Sequence, residues 1–444
     1  MRTSRRQLVL TGSAAAAALA IGGNTSVRAQ DKAKIAWWHI STSDDDKAAW
    51  QALADSFVAA NPNVEIEITV LENEAFKAKL ATAMQSGNPP DVFQSWGGGV
   101  LYEYATAELV RDITSDLATE GWGDSFLPAA LNLYGTDGKY FGVPWSMGVV
   151  VVWYNKALFT QAGIEAPPAT WAEFLTTVST LKEAGITPIT VGEKDKWPGH
   201  FYWVYLAIRN GGKPAFDAAY SREGSFTDAP FVQAGANLKE LVDLEPFQEG
   251  FLGQAYNDAE SLFANGKVAM ELMGQWAPNN FQTLAEDGVG PGEDLGLFGF
   301  PSVEGGAGGP TDVLGGGNGF AIGKNAPDEA IAFVRHLTSL ESQLALVPAG
   351  LAVPPVVKGA EAAVTDPNLL KIAELLGAAE YLQLYYDQFL PPAVGAVVND
   401  AVQGIFAGTS SPEDVAEMIE ESAAKEMSYL FRFRSPPQSN AADS

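Results

Sequence analysis

The feature that most constrains the fold is the order of strand and helix patterns over residues 33–96. Two segments with apolar side chains at helical spacing alternate with three short segments that have the composition or the period-two alternation of strands. This strand-helix-strand-helix-strand order predicts a parallel sheet with right-handed crossovers, so the fold class is α/β. The predicted strands cover residues 33–39, 64–70 and 91–96.

Two loops follow the predicted parallel strands at their carboxyl ends. Ligands of parallel α/β sheets bind beyond these ends, where the strand order reverses. Residues 39–46 follow the first strand and residues 95–99 follow the third, and both loops carry polar side chains. We therefore expect part of a binding site in these two loops.

The α/β pattern continues beyond residue 142. The apolar run Val149–Val152 predicts a strand where the chain crosses into a second lobe. The segment 305–317 is so rich in glycine that it predicts a flexible return connection. Further strands are predicted at residues 186–191, 268–273, 295–300 and 318–322, with helices at residues 201–209 and 231–244.

The first 29 residues have the pattern of an export signal. The pair Arg5-Arg6 precedes a short apolar run, and Val27-Arg28-Ala29 is a small-x-small cleavage site. The run is too short for the roughly 20 residues of a membrane span, so we expect cleavage after residue 29. Leu8 stands where a strong twin-arginine signal carries Phe, and the twin-arginine and general secretory routes both stay open. The polar segment 436–444 is expected to be a disordered tail.

Composition excludes several function classes. The chain has no cysteine, which removes disulfides, thiol catalysis, thiolate metal sites and lipid attached through cysteine. Its 54 acidic and 27 basic residues give a net charge of −27, so nucleic acid is not an expected partner. The three histidines lack metal-ligand spacing, and neither a GxSxG nor a P-loop motif occurs. We therefore expect no metal, no cofactor and no catalytic residue.

The eleven tryptophans are the chemically informative set. Sugars present apolar C–H faces and rings of hydroxyls, so their sites combine flat aromatic rings with planar polar groups. Trp96, Trp197 and Trp276 lie in predicted loops beside polar residues and are candidate platforms, whereas Trp145 fits packing and platform equally. The tryptophans within periodic segments are assigned to the core, namely Trp50, Trp153 and Trp171.

An ordered set of motifs resembles a known family. They include NPNVEIEI, GNPPDVFQSW, FGVPWSMGVVVVWYNKALF, NGKVAMELMGQW, LGGGNGFAI and YYDQFLPPAVGAV. From about Lys34 to Tyr429 the chain resembles the family 1 extracellular solute-binding proteins of carbohydrate ABC importers, the maltose-binding-like group. The resemblance implies a two-lobed periplasmic-binding-protein fold of type II, with the sugar in the interlobe cleft and closure of the lobes around it.

The resemblance also implies domain limits and site residues. The first lobe is expected at residues 30–146 plus 314–356, and the second at residues 147–313 plus 357–435. The segment around Trp197 and His200 is similar to members that handle xylo-oligosaccharides or other short glycans. The expected sugar-binding residues are Ser41, Asp44, Ser95, Trp96, Trp145, Trp197, Trp276, Asn318, Tyr386 and Asp387.

The function implied is that of a monomeric periplasmic binding protein. It is expected to capture a di- or oligosaccharide and deliver it to an ABC transporter permease, without making or breaking bonds. Two alternatives stay open. An exported glycoside hydrolase uses the same aromatic and carboxylate groups, and a ferric-ion binder of the same fold is suggested by the adjacent phenols of Tyr385 and Tyr386.

Overall fold

The structure is a computed structural model that describes residues 32–432, with side chains described up to residue 427. The predicted signal peptide, residues 1–29, and the predicted tail, residues 436–444, lie outside the described residues. Within the described part, no helix is both long enough and apolar enough to cross a bilayer.

The described residues form a mixed arrangement of strands and helices. The strands are β1 Ala33–His39, β2 Val64–Val70, β3 Val92–Ser95, β4 Gly135–Thr136, β5 Lys139–Tyr140, β6 Gly142–Asn155, β7 Thr187–Thr190, β8 Val268–Gly274, β9 Leu295–Phe298, β10 Val313–Ile322 and β11 Leu382–Leu384. The helices of the first half are α1 Asp44–Ala60, α2 Asn73–Gln85, α3 Gly98–Thr106, α4 Thr114–Leu117, α5 Pro128–Leu131, α6 Lys156–Gln161, α7 Trp171–Glu183 and α8 Trp197–Ser221. Those of the second half are α9 Ala229–Asp243, α10 Tyr256–Ala264, α11 Ala277–Leu284, α12 Glu329–Leu337, α13 Leu340–Leu346, α14 Pro367–Ala378, α15 Tyr386–Phe389, α16 Pro392–Phe406 and α17 Pro412–Arg432.

The predicted parallel sheet is present and confirms the α/β class. Strand β1 lies between β2 and β3 and pairs with both in parallel, with Ala33 opposite Val64 and Trp37 opposite Val92. The sheet then continues through antiparallel pairing to β10 and β6 and onward to β8 and β7, in the order β2-β1-β3-β10-β6-β8-β7. The elements packed around β1, β2 and β3 are called the first lobe below, and those around β7, β8 and β9 the second lobe.

Strand β6 connects the two lobes. Its first half, from Gly142 to Val149, pairs with β10, and its second half, from Val150 to Asn155, pairs with β8 and β9. The buried side chains divide at the same place, since Met147 belongs to a core of the first lobe and Val149 to the core of the second. The sheet is therefore continuous across the molecule, while the hydrophobic cores are separate.

The prediction of a flexible connection over residues 305–317 is wrong in its last part, because β10 begins at Val313. Its glycines permit close strand packing. A Cβ atom on Gly315 would lie 2.1 Å from the carbonyl oxygen of Gly148, and one on Gly316 would lie 2.4 Å from the ring of Tyr385. The glycine run is thus a buried strand in which side chains have no room.

We expect Gly315→Ala to destabilise the protein. The added methyl group meets backbone rather than a movable side chain, and such overpacking costs about 1–3 kcal/mol. Urea denaturation of the full chain measures the loss. The control is Gly377→Ala in α14, where a Cβ meets nothing within 4 Å and the better helix propensity of alanine adds up to about 1 kcal/mol. Equal stability of Gly315→Ala and the wild type would contradict the packing argument.

Candidate functional site

A cavity of about 320 Å³ lies between the two lobes. Residues from the first lobe, the second lobe and the two crossing strands β6 and β10 all line it. The expected residues at the cavity are Ser41, Trp96, Trp145, Trp197, Trp276, Asn318 and Asp387. The structure therefore brings together side chains that lie up to hundreds of residues apart in the sequence.

The loops after β1 and β3 both reach the cavity. Ser41 lines it, and its Oγ atom accepts a hydrogen bond of 3.0 Å from Nε1 of the buried Trp50. Trp96 lines it from the end of β3, with its ring edge-on to Phe76 at 5.9 Å between centroids. These contacts hold the polar loop and the indole against the first-lobe core.

Asp44 does not reach the cavity. It is the first residue of α1, its side chain is 98% exposed, and it pairs with Lys47 at 3.0 Å. Asp46 lines the cavity instead and is only 8% exposed. Asp46 lies four residues before Trp50, on the buried stripe of the helix. Extending that apolar stripe backwards from Trp50 would have selected Asp46 from the sequence.

Ser95 and Tyr386 also lie outside the cavity lining. Ser95 is buried, and its Oγ accepts a hydrogen bond from the backbone N–H of Gly97 at 3.2 Å. Tyr386 is 1% exposed and packs in the second-lobe core against Trp203. The neighbouring Tyr385 lines the cavity in its place. The two adjacent phenols therefore do not face a common site.

Aromatic side chains form the second-lobe wall. Trp197 is the first residue of α8 rather than a loop residue, and it is buried to 8% exposure. Its ring meets Tyr256 edge-on at 4.7 Å and lies 6.5 Å from the partly buried ring of Trp276. The tryptophans assigned to the core are buried as predicted, namely Trp50, Trp153 and Trp171.

The crossing strands contribute a hydrogen-bonded group at the base of the cavity. Nε2 of Gln94 donates to Oδ1 of Asn318 at 3.0 Å, and Nδ2 of Asn318 donates to Oγ of Ser146 at 3.3 Å. Nε1 of Trp145 donates to Oε1 of Gln94 at 3.4 Å. Trp145 is 7% exposed, so most of its ring is packed in the first-lobe core while the residue also lines the cavity.

Besides Oδ1 of Asn73 on α2, two buried polar atoms at the cavity lack a hydrogen-bond partner among the described residues. They are Oε1 of Gln275 and the hydroxyl of Tyr385. These side chains are 4% and 7% exposed. Neither residue was among the expected sugar-binding residues, although Gln275 directly precedes Trp276 and Tyr385 was named for the ferric-ion alternative. A buried polar group without a partner costs about 1–3 kcal/mol, so a hydrogen bond from a ligand to either atom would be favourable.

A charged pair joins the lobes across the cavity. Nζ of Lys77 on α2 lies 3.3 Å from Oδ2 of Asp387 on α15 and 3.0 Å from Glu74. Burial lowers the pKa of Lys77, but the charges of Asp387 and Glu74 raise it above its ordinary value. Burial raises the pKa of Asp387, but Lys77 brings it below its ordinary value. Both groups are therefore charged at neutral pH.

His200 lies behind this pair and is fully buried. Its Nε2 atom is 3.8 Å from Oδ1 of Asp387, and its Nδ1 atom is 2.7 Å from the carbonyl oxygen of Trp197. Burial lowers the pKa of His200, against the charge of Asp387. His200 is therefore neutral at physiological pH, and its ring is hydrogen-bonded to the backbone of the cavity-lining Trp197. Within residues 32–432, no group of three or more histidine or acidic side chains is placed to hold a metal ion.

Two further hydrogen bonds cross the cleft. Nδ2 of Asn279 donates to Oδ1 of Asp46 at 2.7 Å, and Nδ2 of Asn257 donates to Oε2 of Glu72 at 3.4 Å. Burial raises the pKa of Asp46, while its hydrogen bonds to Ser43 and Asn279 oppose the rise. Each of these contacts joins α1 or the start of α2 to a second-lobe helix. The lobes are thus in polar contact around the cavity.

We expect Lys77→Gln to destabilise the protein in a pH-dependent way. The substitution leaves Asp387 nearly buried without its cation, at a cost of about 1.5–3 kcal/mol at neutral pH. Because the folded-state pKa of Asp387 is lowered, the stabilisation is present above the ordinary aspartate pKa of about 3.9 and is lost as the pH falls through the folded-state value. The difference between wild type and variant should shrink below about pH 4.

Urea denaturation at several pH values measures this difference. The matched control is Lys239→Gln, which breaks the 2.7 Å pair with Asp243 on α9, where both side chains are more than half exposed. Such an exposed pair contributes about 0.3–0.5 kcal/mol. A Lys77→Gln effect no larger than the control, or one independent of pH, would show that the cross-cleft pair does not stabilise the protein.

Known proteins resemble this chain along most of its length. A Mesorhizobium japonicum protein named a probable sugar-binding periplasmic protein is 26% identical over 414 residues, covering 90% of this chain and 96% of that one. A solved chitin oligosaccharide binding protein is 26% identical at a TM-score of 0.83 and covers 90% of this chain and 100% of that one. A structure from work on xylan utilization by Caldanaerobius polysaccharolyticus is 28% identical at a TM-score of 0.81, covering 87% and 99%.

The similarity extends to a protein family. The sequence profile of the bacterial extracellular solute-binding proteins matches residues 41–344, which is more than half of the chain. The matched segment contains β2 through β10, and so includes parts of both lobes and both crossing strands. This chain therefore belongs to the bacterial extracellular solute-binding protein family.

Proposed function

We propose that this protein captures a neutral di- or short oligosaccharide in the interlobe cavity and delivers it to the permease of an ABC importer. One observation carries the proposal: indole rings and planar polar side chains from both lobes line a single cavity of about 320 Å³. The volume lies at the lower end of the range for small-molecule sites. The bound sugar is released unchanged, and the protein works in the periplasm.

The aromatic rings suit the apolar faces of sugar rings. Trp276 is partly buried and lines the second-lobe side, and Trp96 lines the first-lobe side. Large rings supply contact area at small entropic cost, because each has only two side-chain torsions to order. Sugar stacked on Trp276 and covered by Trp96 would touch both lobes.

The polar groups suit hydroxyls rather than charges. Lys77 and Asp387 neutralise each other across the cavity, so neither offers an uncompensated charge to a ligand. The hydroxyl of Tyr385 and Oε1 of Gln275 have unused hydrogen-bonding capacity. A hydroxyl group can donate to one atom and accept from another, which satisfies both. An uncharged ligand rich in hydroxyls therefore fits the site best.

The relatives support the same class of ligand. The Mesorhizobium protein is named for sugar binding, and one solved relative is named for binding chitin oligosaccharides. Both are binding proteins by name, which supports a role without catalysis. The residues that we propose to contact sugar are Ser41, Asp46, Trp96, Trp145, Trp197, Gln275, Trp276, Asn318, Tyr385 and Asp387.

A thermal-shift screen tests the ligand class. The panel contains maltose, xylobiose, xylotriose and chitobiose, with glucose 6-phosphate as a charged comparison. A ligand at 100 times its Kd stabilises the folded state by about 2.7 kcal/mol. We expect a rise in Tm with at least one neutral oligosaccharide and none with the phosphate. A flat response to all neutral sugars would count against the proposal, and shortened oligosaccharides in chromatography would show an enzyme.

We expect Trp276→Ala to weaken sugar binding at least tenfold, which corresponds to about 1.4 kcal/mol. Loss of the ring removes a stacking surface that lines the cavity. Calorimetry with the strongest sugar of the screen measures the change. Trp171→Phe is the control, because Trp171 stacks on Phe174 in the core, away from the cavity. Unchanged affinity in Trp276→Ala would exclude the platform role.

A further inference from the structure

A buried polar network lies behind Trp276. Nε1 of Trp276 donates to the hydroxyl of Tyr256 at 3.0 Å, and that hydroxyl donates to Oε1 of Glu260 at 2.6 Å. Nδ2 of Asn280 donates at 3.0 Å to the Tyr256 hydroxyl and at 3.0 Å to Oε2 of Glu260. The network thus joins a cavity-lining indole to a carboxyl group that lies outside the cavity.

The Tyr256 hydroxyl has no hydrogen-bonding capacity left. A phenol offers one proton and two lone pairs. Both lone pairs receive N–H donors, from Trp276 and Asn280, so the proton must point to Glu260. The N–H donors of Trp276 and Asn280 therefore set the direction of every bond in the network, and Glu260 accepts from Tyr256 at one oxygen and from Asn280 at the other.

Glu260 cannot touch a ligand directly. It is 0% exposed and does not line the cavity, whereas Tyr256, Trp276 and Asn280 do. Burial raises the pKa of Glu260 to about 8, while its bonds from Tyr256 and Asn280 oppose the rise. A second carboxyl, Glu271 on β8, is also buried, and one of its oxygens lacks a partner among the described residues. Burying a carboxyl group costs free energy unless it is hydrogen-bonded, and Glu260 is bonded to Tyr256 and Asn280.

The backbone confines the other side of the indole. A Cβ atom on Gly274 would lie 2.2 Å from the six-membered ring of Trp276, so the ring lies directly on the glycine backbone. The ring thus rests on Gly274 while its N–H is bound to Tyr256, and the two contacts together restrict its pose. A binding platform has to be held rigidly, and the hydrogen bond to Tyr256 holds the Trp276 ring in this way.

We propose that Glu260 is a positioning residue that acts through the Tyr256 hydroxyl to hold the Trp276 indole in its ligand-binding pose. The effect on ligand affinity rests on the proposed function. The hydrogen-bond network itself does not, because the indole N–H reports on it without any ligand. Glu260 therefore shapes the site from a position that the ligand never contacts.

Nuclear magnetic resonance of the full chain labelled with ¹⁵N-tryptophan tests the network. The indole signal of Trp276 is assigned by its absence in Trp276→Phe. Tyr256→Phe and Glu260→Gln should each move this proton signal upfield, as a weaker hydrogen bond requires. Glu260→Gln should add no further shift in the Tyr256→Phe background, since the transmitting hydroxyl is gone.

Glu193→Gln is the matched control. Glu193 is also 0% exposed in the second lobe, and burial raises its pKa to about 8, but it makes no bond to Tyr256. It should leave the Trp276 signal in place. If Glu260→Gln does not fold, Glu260→Asp keeps the carboxyl and withdraws it from the hydroxyl by one methylene. An unmoved signal in the folded variant, or additive shifts in the double variant, would overturn the proposal.

Calorimetry with xylobiose and chitobiose supplies the functional arm. We expect Glu260→Gln to weaken binding of the sugar that the wild type binds by about tenfold, and Glu193→Gln to leave it within about twofold. Equal affinity in Glu260→Gln and wild type would overturn the positioning role. If the wild type binds neither sugar, the proposed ligand class loses support, while the indole signals still decide whether Glu260 holds Trp276.

Discussion

The pairing of β6 with β10 is the contact on which the rest of the structure depends. The two strands run antiparallel from Gly142 opposite Ala321 to Val149 opposite Gly315. Their register shifts at Asn318, which places that side chain at the base of the cavity. Because β6 continues into the second lobe, this one ladder sets the distance between the two walls of the site. A close backbone approach is possible there because four of the seven β10 residues that pair with β6 are glycines.

Half of the fold could be predicted from residue patterns alone. The strand alternation at residues 64–70, with helical spacing before and after it, predicts a parallel unit with right-handed crossovers. The structure confirms the parallel pairing. The glycine-rich strand could not be predicted in the same way. A run such as Gly315–Gly317 carries no periodicity, and its meaning depends on the backbone of Gly148, far away in the chain. Composition shows that glycine is frequent, but only the fold shows at which glycines an added side chain would clash with neighbouring atoms.

The sequence predicted which loops form the candidate site, but it predicted less well which side chains of those loops face the cavity. Topology selected the segments after β1 and β3, and both reach the cavity. Within a segment, the phase of the helix or turn decides which neighbour faces inward, and Asp46 and Tyr385 take the places expected for Asp44 and Tyr386. The bonded side-chain pairs that cross the cleft could not be predicted from the sequence. Lys77 and Asp387 are 310 positions apart, and nothing local to either residue indicates the other.

The two lobes contribute different chemistry to the cavity. Among the described residues, Oε1 of Gln275 and the hydroxyl of Tyr385 have unused hydrogen-bonding capacity in the second lobe, which also holds the indole of Trp276, while Oδ1 of Asn73 has it in the first lobe. The first lobe contributes Lys77, Glu72 and Asp46, each already bonded across the cleft. A ligand can therefore bond to the atoms with unused capacity without breaking an existing bond, while Lys77, Glu72 and Asp46 hold the lobes in contact. Binding of a ligand and contact between the lobes thus share Asp46 and Asp387, since both side chains line the cavity and both are bonded across the cleft.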